Sequence, residues 1–239
     1  MAKGGRTHYG EAIGILILDT KFPRIPGDIG NASTFDFPVR LRVVKGASVD
    51  RVVRQADPDL LNPFIQAARE LESEGVKAIT TSCGFLVLFQ DELARAVGIP
   101  LFTSNLLVVP LVYELTGKRV GIITASSESL TERHLRAAHI DPSIPIAVAG
   151  LEGQPEFGRA ILGNSDSMDI DKVEGEVVDV AITLAKNHRD LGSFVLECHN
   201  LAPYSAAIQE ALELPVFDIV TFTRFIYEAV VKRRFTGFM

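Results

Sequence analysis

The sequence predicts an α/β protein of two pseudo-symmetric lobes, each a mainly parallel sheet flanked by helices, with a cleft between them where an active site would lie. Three observations lead there. Apolar β-forming runs alternate with stretches of helical periodicity along the chain, the pattern of parallel strands joined by right-handed crossovers. The alternation restarts near the middle, after the break Thr116-Gly117-Lys118. The only two cysteines, Cys83 and Cys198, each stand where an apolar strand pattern gives way to a turn, separated by close to half of the 239-residue chain.

Glu11 to Leu18 reads as a buried strand because Ile13, Ile15, Leu16, Ile17 and Leu18 form a nearly unbroken apolar run. The segment Lys21 to Asn31 carries Pro23, Pro26, Gly27 and Gly30, too closely spaced for helix or strand. It is a long loop at a strand's carboxyl end, where open α/β sheets bind ligands, although any single residue in it reads best as part of a surface connection. Pro38 to Val44 is the second strand. Asp57-Pro58 opens a helix with an N-cap acid and a proline in the first turn; Leu61, Phe64, Ile65, Ala68 and Leu71 keep helical spacing, and Gly75 ends it. Val76 to Thr81 is a strand that ends at Cys83. A helical segment at Val87 to Val97, a strand at Ile99 to Thr103 and a helical stretch at Leu106 to Leu115 complete the first half.

The second half repeats the plan. Arg119 to Thr124 is a strand, Ser129 to Ala138 a helix and Ile144 to Val148 a strand. Leu151 to Met168, rich in Gly, Asp, Asn and Ser, is irregular and suits a lid. Asp169 to Asn187 is a long amphipathic helix on Val173, Val177, Val180, Ala181 and Leu184, and it tolerates Gly175. The strand leading to Cys198, a helix at Pro203 to Leu212, a strand at Leu214 to Asp218 and a helix at Val220 to Arg234 finish the chain. The first lobe is then residues 1–115 plus 214–239, and the second 116–213.

Composition narrows the function. Hydrophobic residues make up 47% and charged residues 23%, ordinary for a folded globular chain. A formal net charge of -6 with no basic run excludes a nucleic-acid surface, and no stretch approaches the ~20 apolar residues that span a bilayer. A polar amino terminus and a short first apolar run argue against a signal peptide and for the cytoplasm, where thiols stay reduced. The expected partner is a small-molecule substrate, with neither nucleic acid nor membrane; a homo-oligomer is left open. No Cys-x-x-Cys spacing is present, so no metal site is expected.

A thiol at a parallel strand's exit has backbone amides and a helix's positive end beside it, both of which favour thiolate. Two such thiols on opposite sides of a substrate carbon can remove a proton from one face and deliver one to the other, inverting a stereocentre without a cofactor. A single cysteine is more often a small buried hydrophobe, but matching strand exits in both halves favour a catalytic pair. Glu197 lies on a strand pattern, so its side chain is expected to point away from that of Cys198; were it close, its charge would oppose thiolate formation.

Ser82-Cys83-Gly84 after one strand and Glu197-Cys198-His199-Asn200 after its counterpart resemble the aspartate/glutamate/hydantoin racemase superfamily. The likeness covers the whole chain in architecture, including an opening strand that runs into a loop with an acidic residue, Asp19. It implies a cofactor-independent racemase or epimerase of an amino acid, related small carboxylic acid or hydantoin, with Cys83 and Cys198 as the catalytic acid/base pair. Ser82, Gly84, Phe85, His199 and Asn200 would line the pocket, with Asp19, Thr20 and Thr124 at neighbouring strand exits as further substrate-binding positions. Members acting on glutamate usually carry Asn-Thr after the first cysteine and Gly-Cys-Thr-His around the second. Gly84-Phe85 and Glu197-Cys198-His199-Asn200 depart from both, which speaks against glutamate and for a less polar substrate. Cysteine-dependent isomerisation of a maleate-like diacid is the alternative; a decarboxylase, which needs one cysteine, is disfavoured by the presence of two. A two-lobed small-molecule binding protein without catalysis is the remaining reading.

Overall fold

The computed structural model describes residues 4–239. Two four-stranded, wholly parallel sheets make up its two lobes. β1 (Ile13–Leu18), β2 (Val39–Val44), β3 (Ala78–Thr81) and β4 (Leu101–Phe102) run in the order β2-β1-β3-β4. β5 (Arg119–Thr124), β6 (Ile146–Gly150), β7 (Leu191–Leu196) and β8 (Val216–Phe217) run in the order β6-β5-β7-β8. The two orders are the same arrangement used twice. In both, the cysteine-bearing strand lies in the interior of the sheet, next to the lobe's first strand.

Helices cover the sheets: α1 (Leu61–Glu74), α2 (Gln90–Ala96), α3 (Val109–Thr116), α4 (Glu132–Ala137), the single turn α5 (Pro155–Phe157), α6 (Ile170–Asn187), α7 (Ser205–Leu212) and α8 (Ile219–Val230). α1 ends as the sequence predicts. Gly75 takes φ 98°, a left-handed conformation that costs glycine least, and its amide closes onto the carbonyls of Leu71 and Glu72. α6 starts at Asp169, whose carboxylate accepts from the Lys172 amide.

The segment after Leu212 divides between the lobes, which corrects the expected boundary. Val216–Phe217 pairs in parallel with Phe194 and Val195 of β7, because the short apolar strand supplies the edge that β7 lacks on that side. The chain then crosses over. Ile219 packs with Ile13, Ile15, Ala78 and Phe102 of the first lobe, and Tyr227 stacks on Phe37 at 3.7 Å. One apolar cluster runs through both lobes, from Leu16 and Phe64 to Phe157, Phe194 and Leu196.

Four short helical segments shape the cleft. After β3 the chain runs through a 3-10 turn at Gly84–Phe89 before α2, and after β7 through another at His199–Tyr204 before α7. Two π-helical turns stand opposite them. Asp50–Arg54 lies in a stretch with no assigned element in the sequence reading, and Gly158–Leu162 falls within the stretch read as an irregular lid. Turns of this kind are frequent at functional sites.

Candidate active site between the lobes

The exits of β3 and β7 face one another, and Cys83 and Cys198 line the same cavity. Its other walls are Leu18, Phe22 and Arg24 from the loop after β1, Val49 and Val53 around the first π turn, Ile161 and Leu162 from the second, with Ser82, Phe85, Ala125 and Asn200. The enclosed volume is about 20 Å³, room for about one water. Both cysteines are free thiols; Cys198 is buried and Cys83 partly exposed.

Each strand exit is held by a different device. In the first lobe Ser82 Oγ accepts the Leu18 amide at 2.9 Å, while the Thr81 hydroxyl donates to the Thr103 carbonyl at 2.7 Å, with the Cys83 carbonyl 3.0 Å away. In the second lobe the residue before the cysteine is Glu197, with no solvent exposure. Its Oε2 accepts the Thr124 hydroxyl at 2.7 Å, and the Ala125 amide supports the same carboxyl. Its Oε1 has no hydrogen-bond partner. The two exits interlock at Gly84: a Cβ there would collide with the Glu197 carbonyl oxygen and with its Oε1. Gly84 is therefore the residue that lets Glu197 in.

These contacts reverse the expected ionisation of the thiols. Burial pushes the Cys83 thiol up to about 12, the Glu197 charge adds to it, and the Phe85 and Leu86 amides and the Arg24 cation only partly offset this. Cys198 is likewise raised well above the ordinary thiol range, by burial, by Glu197 and by Cys83. The amides do reach the sulfurs, but desolvation outweighs them. Burial also pushes the Glu197 carboxyl up to about 7, against the opposing pull of Thr124 and Ala125.

His199, expected to line the pocket, lies beneath it instead. Its Nδ1 donates to the Thr81 carbonyl at 2.8 Å and its Nε2 accepts the Asn105 amide at 3.3 Å, which fixes one neutral tautomer; burial holds its pKa down at about 4. It ties the second cysteine's turn to the first cysteine's strand. Asn105 extends the tie, donating from Nδ2 to the carbonyls of Leu196 and Phe217 at 3.2 and 2.8 Å. Asp19 is exposed and accepts the Gly46 amide, away from the cavity. Thr124 is spent on Glu197, and Thr20 accepts from Arg24 at 3.0 Å behind the cavity wall.

Phe85 lines the cavity and meets His134 edge-on at 5.2 Å on its far side. Asn200 lies beside Cys198, whose Sγ is 3.9 Å from Asn200 Oδ1, and its Nδ2 donates to Asp28 Oδ2 at 2.7 Å. Asp28, nearly fully buried, also accepts Arg24 at 2.8 Å and the Gly30 amide at 2.7 Å. Arg24, braced on Asp28 and Thr20 with its guanidinium 4.8 Å from the centre of the Phe22 ring, is the single cationic side chain in the cavity lining. The sequence reading missed it; the ligand-binding edge of the sheet was its one signal. Among the described residues no group of three or more His, Cys, Asp or Glu side chains gathers to hold a metal ion.

Comparison with solved structures places this architecture. Arylmalonate decarboxylase superposes with a TM-score of 0.62 at 16% identity, covering 91% of both chains. Allantoin racemase from Klebsiella pneumoniae does so with 0.64 at 15%, covering 91% of this chain and 86% of that one. This is the fold of the aspartate/glutamate/hydantoin racemase superfamily. Within that fold the chain is similar in sequence to dimethylsulfoniopropionate lyases. It is 31% identical over 221 residues to lyase 7 of Emiliania huxleyi (strain CCMP1516), covering 88% of this chain and 64% of that protein. It is 28% identical over 229 residues to the lyase of Durusdinium sp. clade D, covering 92% and 75%. The chain thus spans less than two thirds of several of these curated relatives, 57% for lyase 3 of Emiliania huxleyi (strain CCMP1516). No protein-family model matches it. The similar proteins are enzymes of several classes, lyases and a decarboxylase as well as racemases. Among the described residues no helix is long and apolar enough to cross a membrane.

Proposed function

We propose that this protein is a cofactor-independent lyase that removes a proton from the carbon next to a carboxylate and expels a sulfonium leaving group from the neighbouring carbon, with dimethylsulfoniopropionate or a close analogue as substrate. The observation that carries the reading is the cavity lining: two thiols, one cation at Arg24, no carboxylate among the lining residues, and otherwise mostly apolar walls. An amino acid would bring an ammonium group that needs buried hydrogen-bond acceptors. A sulfonium carries its charge without a donor and suits walls such as Phe22, Phe85, Ile161 and Leu162. The similarity to lyases of that name supports the same choice.

The chemistry follows from charge. Arg24 pairs with the substrate carboxylate, which fixes the carbon chain in the cavity. The sulfonium enters a space where two thiols and Glu197 resist further negative charge, so its own positive charge favours thiolate formation at the moment of binding. Cys83 is the base, because it is less buried than Cys198 and has Arg24 beside it. Its thiolate takes the α-proton; the electron pair forms the carbon–carbon double bond as the β-carbon–sulfur bond breaks. Acrylate and dimethyl sulfide leave, and the thiol returns its proton to solvent. A cavity of about 20 Å³ is too small for such a substrate, so binding spreads the two π turns that carry Val53 and Ile161.

Racemisation of a small carboxylic acid is the second reading, and the meeting of both thiols in one cavity favours it. One incubation separates the two. Purified protein with dimethylsulfoniopropionate is expected to release dimethyl sulfide and acrylate in equal amounts. Absence of both products, together with α-proton exchange in an enantiopure chiral acid, would replace the lyase reading with the racemase one.

A further inference from the structure

We propose that Glu197 is a positioning residue shared by both thiols, a buried carboxyl whose charge decides whether either cysteine can give up its proton. The role builds on the thiol chemistry proposed above, while its geometry stands apart from any substrate. Glu197 has no solvent exposure and does not line the cavity, so it is not placed to touch a bound molecule. One carboxyl oxygen is fixed by Thr124 at 2.7 Å. The other has no partner and is pressed against Gly84, the residue that follows Cys83, while Cys198 follows Glu197 in the chain. A single carboxyl is therefore wedged between the two cysteine turns.

The first lobe shows that nothing in the fold demands an acid here. The corresponding residue before Cys83 is Ser82, whose hydroxyl meets the Leu18 amide much as the Glu197 carboxyl meets that of Ala125. A neutral hydroxyl suffices for the strand exit, and an isolated buried carboxylate is costly. The charge acts on both sulfurs, opposing ionisation of Cys83 and of Cys198. With the carboxyl raised to about 7, the three acids titrate as one unit, in which ionisation of one hinders the others. The other groups facing this unit are Arg24, which favours a thiolate at Cys83, Asp28 and Tyr204 on the Cys198 side, and His199, which is held neutral.

Alkylation by iodoacetamide as a function of pH tests this without any substrate, so it remains readable even if the lyase reading fails. Each thiol is followed alone, in Cys198→Ser and Cys83→Ser proteins, with and without Glu197→Gln. Glu197→Gln is expected to lower the alkylation midpoint of both cysteines by about one pH unit, equivalent to about tenfold more thiolate at fixed pH. Glu197→Ser, which places before Cys198 the residue that the first lobe carries before Cys83, also removes the charge. It is expected to lower both midpoints in the same direction, and it carries the test if the Gln protein does not fold. A purely structural role would leave the midpoints where they are. Unmoved midpoints in the folded variants, or a shift confined to Cys198, would overturn the proposal.

Discussion

The exits of β3 and β7 carry the same residue in the same topological place, yet they are built differently. At Cys83 the preceding residue is a serine, the following one a glycine, and the residue is partly exposed and lines the cavity with a cation. At Cys198 the preceding residue is a buried acid, the following one a buried histidine locked to the other lobe's backbone, and the sulfur is buried. The fold's pseudo-symmetry supplies two thiols, and their neighbours make one easier to ionise than the other. A racemase that works in both directions needs two comparable acids, whereas an elimination needs one base. The asymmetry therefore favours elimination.

That contrast is broken or sharpened by substitution. The largest effect is expected at the base: Cys83→Ser should lower dimethyl sulfide release about a thousandfold, within the range for loss of a general base. Cys198→Ser should cost on the order of tenfold, by altering the cavity that orients the substrate rather than the proton transfer; headspace measurement reads both. Arg24→Met should raise KM about 10- to 100-fold, the loss of a charge-assisted hydrogen bond to the carboxylate, in steady-state kinetics.

Stability depends on pH through three buried groups of the second lobe. The raised Glu197 pKa means the folded state holds a proton that the unfolded chain releases, so its contribution declines as pH rises from about 4.5 to about 7. Glu197→Gln should remove that decline and gain on the order of 3 kcal/mol at pH 8 in denaturant unfolding. His134 and His199, both held down at about 4 by burial, act in the opposite direction, losing stability as pH falls from about 6.5 to about 4. Wild-type stability should therefore pass through a maximum between the acid and alkaline losses. The smallest effects are at glycines. Gly84→Ala should destabilise by about 1–3 kcal/mol through its collision with Glu197, while Gly175→Ala in α6, with open space around it, should stabilise by about 1 kcal/mol.

Much of the frame was legible in the chain. The apolar run from Ile13 to Leu18 and the glycine stop at Gly75 leave little choice of element, and the cysteines at two strand exits mark the cleft. The site's electrostatics were not legible. The alternation rule would aim Glu197 away from Cys198, but β7 ends at Leu196, so Glu197 lies just past the region where alternation holds. The expected thiolates failed because sequence shows the amides at a strand exit but not the burial that outweighs them. Arg24 sits in a loop without periodicity, where only the contacts to Asp28 and Thr20 reveal that its cation is turned inward. The division of the chain's end between the lobes is not legible either, because two residues, Val216 and Phe217, carry too little pattern to show which sheet they join.

The most direct test of the central claim is the rate of acrylate formation from dimethylsulfoniopropionate by the wild type, Cys83→Ser and Cys198→Ser, with circular dichroism confirming that each protein is folded. The account predicts turnover in the wild type, its near-complete loss in Cys83→Ser and a measurable remainder in Cys198→Ser. Full turnover in folded Cys83→Ser, or loss in Cys198→Ser alone, would contradict it.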